Sequence, residues 1–443
     1  MTTASTAENP TETQPNQPRP SLLSALRIRD FRLVWIGESI SLLGDQFYMI
    51  ALPWLTLQLT GSGLALGTVA AVTGIPRAVF MVVGGAYTDR FSPRSVMLIS
   101  NVLRLLLTAF LTIAVLTNTV QLWMLYVTGF LFGLVDAFFF PAQSAIVPQI
   151  VEKDQIESGN ALVQITAQLA GFIGPALAGL LIASLTGAVT LNDAAASSGT
   201  AATRGVGYAL GFDVLTFVVA AVALWLMRGG KKQTAQAETA VEQQSIRESI
   251  VEGLRAVWSD STLRTMLFVI MTINFLFTGP IGIGLPVLAN TRFTEGAAAL
   301  GVMLSAFGGG ALVGALLGGS LPAPRSKGLV TMVLIAVAGA ALAFYGFVTS
   351  LPLAGIIGVV MGMSIGYVNV LGISWLQKRT DPQLLGRVMS LVMLGSFGLG
   401  PISNALAGLL VDVNLSLLFA GAGALLVLIA LLAATNREVR LMA

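Results

Sequence analysis

Twelve apolar stretches of bilayer-spanning length follow one another along this chain, at roughly 31–57, 64–87, 95–118, 121–146, 160–186, 206–228, 264–291, 297–320, 327–350, 351–376, 385–411 and 414–435. About 20 apolar residues wound as a helix cross a hydrocarbon core, where any open backbone arrangement would leave amides and carbonyls unbonded. The sequence is therefore read as an all-α membrane protein with twelve transmembrane helices. With 55% hydrophobic residues and 48 glycines among 443, it holds more apolar surface than a soluble core of this length could bury.

The spans fall into two sets of six. Residues 1–26 are expected to form a disordered tail, 27–228 a first six-helix bundle, 229–263 a linker, and 264–443 a second bundle with a short tail. The opening "MTTASTAENPTETQPNQPRP" lacks the apolar run of a signal peptide. In the linker, Ile246, Ile250, Leu254, Val257 and Trp258 recur at helical spacing among Arg247, Glu248, Glu252 and Arg255. That pattern predicts an amphipathic helix on the membrane surface.

Charge placement supplies the orientation. All but four of the 24 lysines and arginines fall on one side of the predicted spans: Arg204 and Arg292 lie on the other, and Arg77 and Arg104 lie within spans. Such a bias predicts cytoplasmic N- and C-termini in a prokaryotic inner membrane. The basic balance thus reports topology, and no nucleic-acid partner is expected. The chain contains neither cysteine nor histidine, which removes thiol chemistry, disulfides, the commonest metal ligand and the usual general base near neutral pH. No metal site, no cofactor and no conventional enzyme activity are expected.

The halves resemble each other. "LPWLTLQLTGSGLALG" (52–67) can be laid on "LPVLANTRFTEGAAALG" (285–301), and "FIGPALAGLL" (172–181) answers "GLGPISNALAGLL" (398–410). Between spans 2 and 3 stands a compact polar cluster, "GGAYTDRFSPR" (84–94). Its glycines permit close helix approach at the membrane surface, Asp89 can accept hydrogen bonds from an arginine or a helix N-terminus, and Arg90 and Arg94 suit an anionic interface.

Gly85, Asp89, Arg90 and Arg94 resemble the loop signature of the major facilitator superfamily, and "IGPALAG" resembles the fifth-helix signature of its proton-coupled antiporters. Longer blocks, including "FRLVWIGESISLLGDQFYMIALPWLTLQLTGSGLALG" and "FFFPAQSAIVPQIVEKDQIESGNAL", are similar to the branch containing bacterial macrolide-efflux proteins and the enterobactin exporter. The resemblance implies two bundles related by an axis along the membrane normal, with a site between them near the midplane. It implies that the 84–94 cluster latches the halves when the cavity faces outward. Departures stand at Ala170 and Ala178 in the fifth-helix signature, at Glu38, and in the second half, where the matching loop keeps only Arg325 and Lys327.

Gly174, Pro175 and Gly179 in span 5, answered by Gly400 and Pro401 in span 11, predict bent, closely packed helices that seal the halves. The ionisable residues inside spans are concentrated in the first half: Glu38 and Asp45 in span 1, Arg77 in span 2, Arg104 in span 3, Asp136 in span 4 and Asp213 in span 6. Such charges are costly unless paired, hydrated or neutralised. Glu38 and Asp45 share a helix face, since seven residues turn about 700° and rise roughly 10 Å. Two arginines cannot pair with four acids, so Asp45, Asp136 and Glu38 are the expected proton carriers, with Arg77, Arg104 and Asp213 as their charge partners. Two ion pairs with the remaining acids hydrated is the plainer alternative.

In the implied fold, spans 1, 4, 7 and 10 line a cavity that would draw on Phe47, Tyr48, Phe138, Asn274, Phe277, Tyr367 and Asn369, a mixture of aromatic and amide groups suited to a bulky amphiphile. The expected function is proton-coupled efflux of amphiphilic, macrolide-like small molecules by a monomer in the lipid bilayer. Export of a siderophore or another metabolite, a transport-dead sensor or assembly partner, and a channel are the alternatives that the residues leave open.

Overall fold

The protein is described by a computed structural model covering residues 23–186, 200–228, 255, 258–322, 324, 326–380, 388–389, 391–393, 395 and 398–436. The N-terminal tail before Leu23, the 229–254 part of the linker with its amphipathic pattern, and Arg325 lie outside the described residues.

The first half is built from α1 (Arg29–Thr60), α2 (Gly63–Arg90), α3 (Pro93–Leu116), α4 (Leu122–Ile150), α5 (Ile156–Thr186) and α6 (Thr200–Leu226). The second comprises α7 (Ser261–Arg292), α8 (Ala297–Ser320), α9 (Lys327–Tyr345), α10 (Leu351–Arg379), α11 (Gly400–Val413) and α12 (Leu415–Thr435). Eleven of these are long and apolar enough to cross a membrane, and α11 is the shorter apolar one. No strand occurs among the described residues, and twelve helices in two sets of six is the organisation the apolar stretches predict.

Local chemistry sets the helix ends. Gly61, at φ +62°, adopts the left-handed conformation that stops α1, and its amide bonds Leu57 O. Ser62 then caps α2 by accepting from Ala65 N. Asn414 does the same for α12, through Leu417 N at 3.0 Å. Asp260 caps α7 through Thr262 N at 2.9 Å and Leu263 N at 3.2 Å, and it pairs with Arg379 at 2.9 Å. Burial alone would push its pKa up, but the Leu263 amide, the Arg379 side chain and the Thr262 amide outweigh this and hold the carboxyl below its ordinary range.

Because the helices alternate in direction, Arg29 and Thr435 lie at one end of the molecule, called here the termini side, and the 61–62, 293–296 and 346–350 turns lie at the far side. The halves meet along two seams in the far part of the membrane. In one, α5 packs on α8: a Cβ on Gly301 would strike the Pro175 carbonyl oxygen and come within 3.1 Å of Gly179 Cα, and one on Gly308 would lie 2.5 Å from Gly171 O. Ser305 Oγ, on α8, accepts from Ala176 N at 2.8 Å. In the other seam α2 packs on α11, with a Cβ on Gly67 only 2.6 Å from Asn404 O and 2.9 Å from Gly408 Cα, and one on Gly74 at 2.7 Å from Pro401 Cγ. Only glycine lets these backbones come so close. Toward the termini side, Gly85 on α2 and Gly319 on α8 have no neighbouring atom within 4 Å of a built Cβ.

Helix α7 is not uniform. Residues Pro280–Gly284 form a π-helical turn between two α segments, which proline and two glycines make easy. Ser403 of α11 holds the break, accepting from Gly279 N at 2.8 Å and donating to Phe275 O at 2.5 Å.

Candidate functional site

Arg104 is 2% exposed at the centre of the first half. Its guanidinium carbon lies 3.8 Å from the Phe139 ring centroid, with Phe132 at 5.4 Å and Phe217 at 5.9 Å. Such an aromatic cage stabilises a cation taken out of water. The charge is balanced by Asp136 of α4, which accepts a hydrogen bond from Arg104 Nη2. Arg77 of α2 approaches the other Asp136 oxygen at 3.8 Å.

One acid thus serves both arginines, which departs from the plainer alternative of two separate ion pairs. The reason is geometric: α4 lies between α2 and α3, so Asp136 faces both. Asp136, expected among the proton carriers, is the shared counter-ion of Arg77 and Arg104. Among the described residues, no ion pair is formed by Glu38, Asp45 or Asp213.

Glu38 is 7% exposed and is held by amides. Gln143 Nε2 donates to Oε2 at 3.1 Å, and Asn101 Nδ2 to Oε1 at 3.4 Å. It borders a crevice between α1, α4 and α5 lined by Phe31, Trp35, Gln143, Val163 and Thr166. Asp45 is half-buried on the same helix, nearer the far side. Asp213 is fully buried against α1: its Oδ1 would lie 2.5 Å from a Cβ on Gly44, and Thr216 Oγ1 donates to it at 3.3 Å. Among the described residues the second half has no counterpart, since α8 and α12 carry no Asp, Glu, Lys or Arg and those of α7, α9, α10 and α11 sit at or near helix ends.

The proposed cavity residues divide. Phe138, Asn274 and Tyr367 are half-buried and Asn369 is exposed, so these four present surface. Phe138 is edge-on to Tyr87 at 5.7 Å, and Asn274 Nδ2 bonds its own helix at Ile270 O. Phe47 and Tyr48 are corrected to packing residues. At 5% and 9% exposure, they lie against Phe212 of α6 at 4.5 Å and Phe132 of α4 at 4.7 Å, because their helix face turns into the first bundle. Phe277, at 8% exposure, is also packed.

In the 84–94 cluster, it is Gly84 that meets α4, against the Ala137 carbonyl, while Gly85 is open. Arg94, expected at an anionic interface, makes hydrogen bonds to α6. It donates from Nε to Leu224 O at 2.8 Å and from Nη2 to Trp225 O at 2.9 Å, closing the C-terminal end of α6, where a cation opposes the helix dipole. Arg90 is exposed, and the Asp89 side chain lies outside the described residues. Of the seal residues, Gly174 packs on α1, where an added Cβ would lie 2.5 Å from Gln46 Cγ, Pro175, Gly179 and Pro401 lie in the seams, and a Cβ on Gly400 would make only an ordinary contact with Thr278.

Asn101, Gln143, Ser305 and Ser403 carry no motif of their own in the sequence. The signal available for the first two was an uncharged amide inside an apolar span, one helix away from an unpaired acid.

Residues 34–404 match the family model described as Major Facilitator Superfamily. Among curated proteins, the chain is 27% identical over 378 residues to the multidrug efflux pump Tap of Mycolicibacterium fortuitum, covering 83% of this chain and 86% of that one. It is 25% identical over 426 residues to macrolide efflux protein A of Streptococcus pyogenes, covering 93% and 96%. Among solved structures, the nucleoside transporter NupG (D323A mutant) superposes with a TM-score of 0.69 at 11% identity, covering 91% of this chain and 99% of that one. A bacterial homologue of the iron transporter ferroportin in an inward-facing state gives 0.65 at 14%, covering 93% and 99%.

Proposed function

Since this chain belongs to the major facilitator superfamily, and is a membrane transporter and not an enzyme, we propose that it exports amphiphilic small molecules, macrolide-like drugs among them, in exchange for protons. The two halves rock about a site near the midplane. The closed far-side seams and the open glycines near the termini side support a cavity that faces the termini side, and the basic-residue bias supports taking that side as the cytoplasm. The names of the drug-efflux relatives support the direction and the substrate class.

The observation that carries the proton role is the unequal sharing of charge. Asp136 takes both arginines, so Glu38 and Asp45 are carboxyls in helix α1 that form no ion pair among the described residues. A proton is the smallest ion that can neutralise them, and exchange for substrate relieves the same cost. Amide contacts from Gln143 and Asn101 keep Glu38 in place in either protonation state, because an amide can donate to a carboxylate or accept from a carboxylic acid. Phe138, Asn274, Tyr367 and Asn369 offer ring faces and amides to the substrate, with no concentration of positive charge to favour a phosphate. One charge moved through 100 mV supplies about 2.3 kcal/mol, enough for roughly a fiftyfold concentration gradient.

The test is transport by purified protein in lipid vesicles. A pH step should drive uphill movement of a fluorescent cationic or zwitterionic amphiphile, and Asp45→Asn should abolish the uphill component while substrate binding persists. Unchanged uphill transport in folded Asp45→Asn and Glu38→Gln proteins would remove both acids from the coupling mechanism.

A further inference from the structure

The N-terminus of α2 is capped twice. Ser62, its own N-cap, accepts from Ala65 N at 3.3 Å. The amides that Ser62 does not reach are taken by a residue of the other half: Asp412 of α11 accepts from Gly63 N at 2.7 Å and Leu64 N at 3.0 Å, and the Ser62 hydroxyl donates to it at 2.9 Å. Gly63 is pressed against this residue and its neighbour, since a Cβ there would meet Val411 Cγ1 and lie 2.8 Å from Asp412 Oδ1. Beneath the carboxylate, Leu57 and Leu66 of the first half pack with Ile283, Ala407, Val411 and Leu418 of the second.

We infer that Asp412 is a positioning residue of the transport cycle, a clamp that holds the two halves together on the far side by capping α2 from α11. The inference rests on the reading that the halves part on that side during transport. Two properties suit the carboxylate to the task. Its charge faces the positive end of the α2 dipole and several orphan amides at once, so it stabilises the closed seam more than a neutral side chain would. It is also exposed, so release hands both partners to water and leaves no buried charge behind. A clamp of this kind is reversible, and a fully buried pair would not be. Asp412 stands one residue before the end of α11, as Asp89 does on the antiparallel α2, so each of these paired helices carries an acid next to its own C-terminal end.

The chain has no cysteine, which makes the test direct. Single reporters Leu66→Cys, in the α2–α11 seam, and Ser305→Cys, in the α5–α8 seam that Asp412 does not touch, are placed in the full chain in lipid vesicles. Their reaction rates with an impermeant maleimide added from the far side are measured with and without Asp412→Ala. Losing a cap of ordinary strength should speed both reporters about fivefold, with Asp412→Asn giving a smaller change because its side-chain carbonyl still accepts. Rates unchanged from the parent at both reporters in correctly folded variants overturn the clamp. Acceleration at Leu66 alone overturns it as well, since that is fraying of one helix end and not parting of the halves. If Asp412→Ala does not fold, Asp412→Asn decides by the same two rates. Neither substrate nor a pH gradient is present, so failure of the proton-coupling reading would show in the vesicle transport assay and not here.

Discussion

Arg104 shows what a single buried charge demands of its surroundings. Three aromatic rings and one carboxylate enclose it, and removing that carboxylate would leave an uncompensated cation inside the bundle, at a cost of about 3–5 kcal/mol. Asp136→Asn is therefore expected to fold and express poorly, read as a fall in thermal midpoint of the solubilised protein. Replacing Arg104 by leucine in the same variant should recover much of the loss, and failure of the pair to recover would mean that Asp136 acts through other partners. Asp45→Asn breaks no ion pair among the described residues, so its thermal midpoint should stay near that of the parent even as uphill transport is lost. Asp260 makes a pH prediction outside the membrane. Its carboxyl is held below the ordinary range by the α7 amides and Arg379, so its stabilising contribution is complete above the unfolded carboxyl's range near 4 and disappears as pH falls through the lower folded value. Asp260→Ala should lower stability by about 1 kcal/mol at neutral pH, and the difference from the parent should shrink in acid. The presence of six ionisable residues in the first-half spans was legible in the sequence. Their pairing was not, because spacing along one helix says nothing about which neighbours face it, and Asp136 meets Arg77 and Arg104 only once α4 lies between α2 and α3.

At the scale of the helix, the seams are made by what is missing from the side chains. Gly301, Gly308, Gly67 and Gly408 bring backbones together across the halves, so one large residue placed there acts as a wedge. Gly301→Leu should insert in the membrane normally yet open the far side and stop transport, seen as rapid maleimide labelling of Ser305→Cys in the same chain. Slow labelling would show that the seam tolerates the bulk. The repeated Gly-Pro segments were readable as places of bent, close-packed helix because proline and glycine act through the backbone itself, whatever their tertiary neighbours. The aromatic residues of α1 were harder. Phe47 and Tyr48 sit on a helix that is apolar on nearly all sides, so hydrophobic periodicity gives no direction and only packing against Phe212 and Phe132 reveals that they face inward. The π-helical turn in α7 was invisible for a similar reason: Pro280 marks a weak point, but Ser403, distant in sequence, supplies the bonds that shape it.

Across the whole molecule, the two halves share a fold and divide the labour. Among the described residues, the first contains every Asp, Glu, Lys and Arg that lies well inside a span, and the second is an apolar frame whose charges stay near its rims. This unequal construction has an electrical consequence. A membrane potential exerts force only on charge that moves through its field, about 2.3 kcal/mol for each elementary charge carried across 100 mV. When the halves rock, the second bundle can swing through the field without doing electrical work, and the first must carry whatever displacement current the cycle produces. On a capacitively coupled supported membrane, a sudden pH step should therefore give a transient current that falls sharply in Asp45→Asn and keeps its size in Lys327→Gln. The carrier's voltmeter would thus be one bundle, and its other half an electrically silent lever.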